Sequence, residues 1–236
     1  MKATDSLKLT LFSTKPVAIS SNNKLAINTI GQTDHHPVVK RIYHDHSNYY
    51  WYNLVNPQLK VPALRTPEGT ILIGSNVIAE YIADKYQESG LLPAAPTERA
   101  QLRLFLEIFN SRIIPKIFSM LRAATKEGQE KERELLLAGI KEASKELEKQ
   151  WQRPSGKGGP FWFGDHFSLA EVNTVSFVNK LAGPAHWRGF SVPQADDYAA
   201  FNKWVKAFST HPVYTKFSFS NKDIAKGLAK FVPEAN

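Results

Sequence analysis

The 236-residue chain contains no cysteine and only two methionines. Without a thiol there is no disulfide, no thiolate metal site and no cysteine nucleophile, so any sulfur chemistry must use sulfur brought by a ligand. Long apolar runs are missing as well. Nothing approaches the roughly 18 apolar residues that a membrane span needs, and the polar start Met1-Lys2-Ala3-Thr4-Asp5 lacks the apolar stretch of a signal peptide. The expectation is a cytoplasmic protein with no membrane partner.

Charge of one sign is in excess, with 30 Lys and Arg against 22 Asp and Glu and a formal net charge of +8. A basic balance raises the question of a nucleic-acid surface, and the distribution answers it. Lys126 to Lys149 interleaves Glu with Lys as a solvated helix face does, and only the C-terminal end, from Lys203 to Lys230, carries a mild positive excess. The expected partner is therefore not a nucleic acid. A general field favouring anionic small molecules fits better.

The first 86 residues alternate strand and helix signals. Leu7 to Phe12 and Val38 to Tyr43 read as strands, Asn22 to Ile30 as a helix, and Tyr49 to Val55 as a short aromatic helix. Val61-Pro62-Ala63-Leu64-Arg65 reads as a strand opened by proline, and Thr66-Pro67-Glu68-Gly69 as a turn with Pro at its second position. Thr70 to Ile73 pairs back, and Ser75 stands where a helix N-cap is expected, ahead of Val77, Ile78, Tyr81 and Ile82 at helical spacing. Everything after about Pro96 reads as helix. The expected organisation is an α/β domain over 1–86, a linker over 87–96 and an all-α domain over 97–236.

In the second part, Thr97 begins a long helix with Leu102, Phe105, Leu106, Phe109 and Ile113 on one stripe, which Pro115 should kink or end. Gln129 to Trp151 is another helix, with Leu136, Ile140, Ala143, Leu147 and Trp151 on one side. Arg153 to Pro160 is a loop. Ser168 and Glu171 form an S-x-x-E capping box, with Phe167 placed as a staple onto Val172.

Asn56-Pro57, the run Lys60-Val61-Pro62-Ala63-Leu64, and Ser75 opening a helix that carries Glu80-Tyr81-Ile82 resemble the glutathione-binding half of the cytosolic glutathione S-transferases, closest to the omega-like and fungal groups. The capped helix at Ser168 resembles one in that family's helical domain. The resemblance implies a thioredoxin-like N-terminal domain followed by an all-α domain, a homodimer, and glutathione as the cofactor-like co-substrate. It implies that Pro62 is cis and turns the Val61 backbone toward the cysteinyl part of glutathione. Ser75, with Asn76 and the first free N–H groups of their helix, is implied as the seat of the γ-glutamyl carboxylate, a helix N-terminus being an anion site. Lys60 is placed to reach the glycyl carboxylate.

The chain departs from the family pattern at three positions. Phe12 and Val17 stand where the family places Tyr or Cys, so the thiol-activating donor is sought in Ser20, Ser21 or Asn22, at the start of the first helix. Their alternative roles are capping with ligand contact but no thiol activation, and helix capping alone. Gly74 stands where an acidic or amide side chain usually holds the γ-glutamyl amino group.

Phe105, Phe109 and Arg112 are candidates for the wall of an electrophile pocket, although an aromatic stripe at helical spacing is more often core. The implied activity is conjugation of the glutathione thiolate to a small apolar electrophile. The alternatives are a glutathione-dependent elimination, isomerisation or carbon–sulfur bond-forming step of secondary metabolism, and a non-catalytic interaction module on the same fold.

Overall fold

The computed structural model describes residues 9–14, 39–44, 49–59, 62–215 and 218–233. The chain divides into two compact units, Met1–Leu92 and Pro93–Asn236.

The first unit holds a four-stranded sheet of order β2-β1-β3-β4. Strands β1 (Leu9–Thr14) and β2 (Val39–His44) run parallel, with Leu9 opposite Val39 and Thr14 opposite His44. Both run past the ends their apolar pattern suggests, because the ladder between them sets the register. Helix α1 (Tyr49–Val55) follows and coincides with the expected aromatic helix. The helix expected over Asn22 to Ile30 lies outside the described residues.

Strand β3 (Ala63–Arg65) pairs antiparallel with β1 and with β4 (Ile71–Ile73). The hairpin between β3 and β4 closes as the sequence predicts: the Gly69 N–H donates to the Thr66 carbonyl at 3.0 Å, and Gly69 takes φ 91. A type I turn followed by a left-handed glycine is the usual three-residue hairpin loop. Helix α2 (Ser75–Lys85) completes the unit, burying Ile78, Ala79, Ile82 and Ala83. This is a thioredoxin-like arrangement, and the helical unit follows it.

The second unit starts with α3 (Pro96–Ile108), a π turn (Phe109–Ile113) and α4 (Ile114–Arg122). Pro115 explains the interruption. Having no N–H, and with a ring that crowds the preceding turn, it cannot continue an α-helical ladder, and the turn ahead of it widens. The Ile114 N–H accordingly reaches back to the Phe109 carbonyl.

Helix α5 (Lys126–Trp151) is capped by Thr125, whose Oγ1 accepts from the Gly128 N–H at 3.1 Å, and it buries Leu136, Ile140, Ala143 and Leu147. Helix α6 (Leu169–Val178) is buried almost throughout, and a 3₁₀ turn (Asn179–Leu181) joins it to α7 (Ala182–Arg188). Helices α8 (Ala199–Ser209), α9 (Pro212–Thr215) and α10 (Asn221–Leu228) finish the unit. Arg188 closes the C-terminal end of α4, donating to the carbonyls of Leu121 at 2.7 Å and Ala123 at 3.3 Å. A cation is favourable at that end of a helix.

Candidate functional site

The segment between α1 and β3 is shaped by Asn56, which is fully buried. Its Oδ1 accepts from the Gln58 N–H at 3.0 Å, its N–H donates to the Tyr52 carbonyl at 2.8 Å, and its carbonyl accepts from the Leu59 N–H at 2.9 Å. This is an Asx turn, the local structure that Asn ahead of Pro favours. It holds Leu59 at φ 54, a left-handed conformation that a leucine rarely adopts. Tyr52 packs beneath against Ala63, and burial pushes its phenol up despite an opposing hydrogen bond to Asn56. The turn thus fixes the entry to β3, the part of the chain from which Lys60 and Val61 emerge. Sequence reading used the Asn56-Pro57 pair only as part of a resemblance, though Asn-Pro is itself a turn signal.

Lys60 and Val61 lie outside the described residues, and with them the Val61–Pro62 bond. Pro62 itself is buried, immediately ahead of β3. At the other end of the hairpin, the N-cap of α2 is Gly74 and not Ser75, which occupies the first helical position. The reason is conformational. Residue 74 takes φ 94, and glycine adopts that without strain.

No side chain caps this helix. Among the described residues, no side chain accepts from the leading N–H groups of Ser75 and Asn76, which lie at the positive end of the helix dipole. Asn76 Oδ1 is buried without a hydrogen-bond partner. Ser75 and Asn76 are both half-buried, a geometry suited to a small anion reached through backbone donors.

Ser20, Ser21 and Asn22 lie outside the described residues. In the helical unit, Phe105 and Phe109, expected at a substrate wall, are core side chains, each 1% exposed. Phe105 stacks on Trp162 with ring centroids 4.3 Å apart, and both phenylalanines meet the edge or face of Trp204 within 6 Å. The same periodicity that marks a pocket wall marks a core, and here burial decides for the core. Arg112 points outward and pairs with Glu142 at 3.0 Å.

The capping box at the head of α6 forms as expected. Ser168 Oγ accepts from the Ala170 N–H at 3.2 Å, and the Ser168 N–H donates to Glu171 Oε2 at 2.9 Å. Glu171 also accepts from the Trp162 N–H at 2.9 Å and from Trp204 Nε1 at 2.8 Å, tying the helix start to two core tryptophans. Ser168 is structural.

Sequence reading passed over Lys180 entirely. It is 3% exposed, and burial brings its ammonium down to about 8. The available signal was α6 itself: a helix whose one charged side chain belongs to its capping box is buried, and a lysine in the turn continuing it is carried inside.

Comparison with known proteins agrees with this geometry. Residues 25–85 match the family model of the glutathione S-transferase N-terminal domain. Glutathione S-transferase U17 of Arabidopsis thaliana is 27% identical over 162 residues, covering 68% of this chain and 69% of that one. Glutathione transferase omega-1 of Caenorhabditis elegans is 26% identical over 158 residues, 66% of this chain and 60% of its own length. The solved structure of the tau-class glutathione S-transferase from mango, Mangifera indica, matches 95% of this chain and 98% of its own at a TM-score of 0.80 and 15% identity, which speaks for the fold. Taken with an uncapped α2 behind a β3–β4 hairpin, these similarities assign residues 25–85 to the glutathione S-transferase N-terminal domain family and give the chain the glutathione S-transferase fold.

Proposed function

We propose that the protein is a glutathione transferase that adds the thiolate of glutathione to a small, largely apolar electrophile. The observation that carries the reading is the N-terminus of α2, where Gly74, Ser75 and Asn76 present backbone donors that no side chain caps. A γ-glutamyl carboxylate satisfies those donors and completes the helix end. The backbone of Val61 takes the cysteinyl portion as an added strand, and Lys60 meets the glycyl carboxylate.

The thiol of free glutathione is mostly protonated at neutral pH, so a donor that stabilises the thiolate raises the reactive fraction. With no cysteine in the chain, that donor is assigned to the polar run Ser20-Ser21-Asn22. The bond formed is between sulfur and the electrophilic carbon. The bond broken is that carbon's bond to a departing anion, or the π bond of an unsaturated acceptor whose far carbon takes up a proton. The enzyme's contribution is a thiolate held next to the electrophilic carbon. The protein is further inferred to act as a homodimer, which light scattering on the purified chain checks.

Retention on immobilised glutathione followed by a chlorodinitrobenzene conjugation assay tests the reading. Retention with turnover supports it, and failure to be retained sinks it. Alanine at Ser20 and Ser21 together is expected to lower turnover by about tenfold or more while leaving retention intact.

A further inference from the structure

Among the described residues, two charged side chains are buried, Glu171 and Lys180. Glu171 is fully accommodated by hydrogen bonds from Trp162, Ser168 and Trp204. Lys180 is not. Its Nζ donates to the Ser176 carbonyl of its own helical turn at 3.3 Å and lies 4.1 Å from the centroid of the Phe177 ring. No carboxylate among the described residues reaches it, and burial alone accounts for the lowering of its pKa. An enclosed ammonium with one long hydrogen bond lacks the anion that normally makes such burial tolerable.

Its surroundings are polar in a directed way. Asn173, Ser176 and Lys180 recur at steps of three and four along α6 and the turn that follows, so they share one face. All three are buried, at 4%, 3% and 3% exposure. Glu171 lies on the opposite side of the helix, since a two-residue step to Asn173 turns by about 200° at 3.6 residues per turn. The face with the cation therefore points away from the core tryptophans. A cation, an aromatic ring and a short row of polar side chains on one face match a small organic acid with an unsaturated body.

We propose that Lys180 is the binding residue of an anion site in the helical unit, which takes the carboxylate of a small unsaturated organic acid. The anion site stands on Lys180 independently of the transferase reading. The ammonium supplies charge and one or more N–H donors to the carboxylate, and the Phe177 ring borders the unsaturated part of the ligand.

Isothermal titration of the full chain at pH 7 with trans-cinnamate and with its uncharged amide tests the site without requiring turnover. The acid is expected to bind about tenfold or more tightly than the amide, as a charge-assisted hydrogen bond gives. Lys180→Met should abolish the preference and Lys180→Arg should restore it. Equal affinities for acid and amide, no binding of the acid, or a Met variant that keeps the preference each overturn the proposal. Lys180→Gln replaces the Met variant in the same comparison if the latter does not fold. Glutathione retention is measured separately, so loss of the anion site and loss of the transferase reading are distinguishable.

Discussion

Among the described residues, Glu171 and Lys180 are the two buried charges of the helical unit, and they are treated in opposite ways. The Glu171 carboxylate accepts from Ser168 Oγ at 2.7 Å, from the N–H groups of Ser168 and Trp162 at 2.9 Å each, and from Trp204 Nε1 at 2.8 Å. The Lys180 ammonium has one backbone carbonyl at 3.3 Å. Removing the first charge should destabilise the protein, and removing the second should not.

Glu171→Gln keeps one acceptor oxygen for Trp162 and Trp204 but turns an NH₂ group toward the Ser168 N–H and hydroxyl. Two donors then face each other in the interior. The expected loss is about 2–4 kcal/mol, the range for a broken buried network. Ser168→Ala removes the cap and one of the four hydrogen bonds to Glu171, sets no donor against a donor, and should cost about 1–2 kcal/mol. Urea unfolding of both variants checks the order, and a Glu171→Gln variant as stable as Ser168→Ala would contradict the network.

Lys180→Met should raise stability at pH 7. The folded ammonium titrates at about 8 against 10.5 for an ordinary lysine. Below pH 8 both states are protonated and the full penalty of burial, on the order of 3 kcal/mol, is present. Between pH 8 and 10.5 the unfolded chain keeps a proton that the folded one has released, so the penalty shrinks as pH rises. Above 10.5 it is gone. The stability difference between Lys180→Met and the parent, measured by denaturant titration, should therefore be largest at pH 7 and close toward pH 10. A constant difference would mean that the ammonium is not buried in the folded protein.

His211 imposes a dependence at the acid end. Its ring stacks on Phe167 at 4.8 Å and 23°, meets the edge of Phe161 at 5.5 Å, and its Nδ1 accepts from the Val213 N–H at 3.3 Å. Burial lowers its pKa, with Glu171 acting in the opposite direction. A histidine kept neutral by the fold contributes stability that is present above its unfolded value of 6.5 and is lost as pH falls toward the folded value. Protonation also removes the acceptor that Val213 uses. Thermal melts between pH 7.5 and 5 should show this loss in the parent, and His211→Gln should flatten it. An unchanged slope in the variant would assign the acid sensitivity to other groups.

Much of the fold was legible because its elements obey local rules. Tyr49–Val55 is a helix where an aromatic run predicts one, Thr66 to Gly69 turns as its Pro and Gly require, and the capping box at Ser168 fixes the start of α6. Strand limits were less legible, because Leu9 pairs with Val39 through a ladder that no single strand encodes. Residue roles were hardest. Phe105 and Phe109 have the spacing of both a pocket wall and a core, and only their contact with Trp162 and Trp204 separates the two. Lys180 looks like any solvated lysine until the surrounding helices enclose it. Ser75 has the character of an N-cap, but the positive φ at Gly74 moves the cap one residue earlier.

That displaced cap yields a test of the glutathione seat. A Cβ built on Gly74 meets nothing closer than Val77 Cγ2 at 3.9 Å, so a longer side chain has room. Its obstacle is the backbone: φ 94 strains any L residue, at a cost of about 1–3 kcal/mol. Gly74→Gln should therefore lower the melting temperature. It also adds an acceptor beside the uncapped helix end, where the γ-glutamyl amino group is expected, and one new hydrogen bond should tighten glutathione by about fivefold to tenfold. The two effects oppose each other and are read separately, by a melt without ligand and by calorimetric titration with glutathione. A less stable variant with tighter binding places the γ-glutamyl end at α2. A less stable variant whose affinity is unchanged removes it from there, because a side chain rooted at residue 74 cannot be remote from a ligand seated on Ser75 and Asn76.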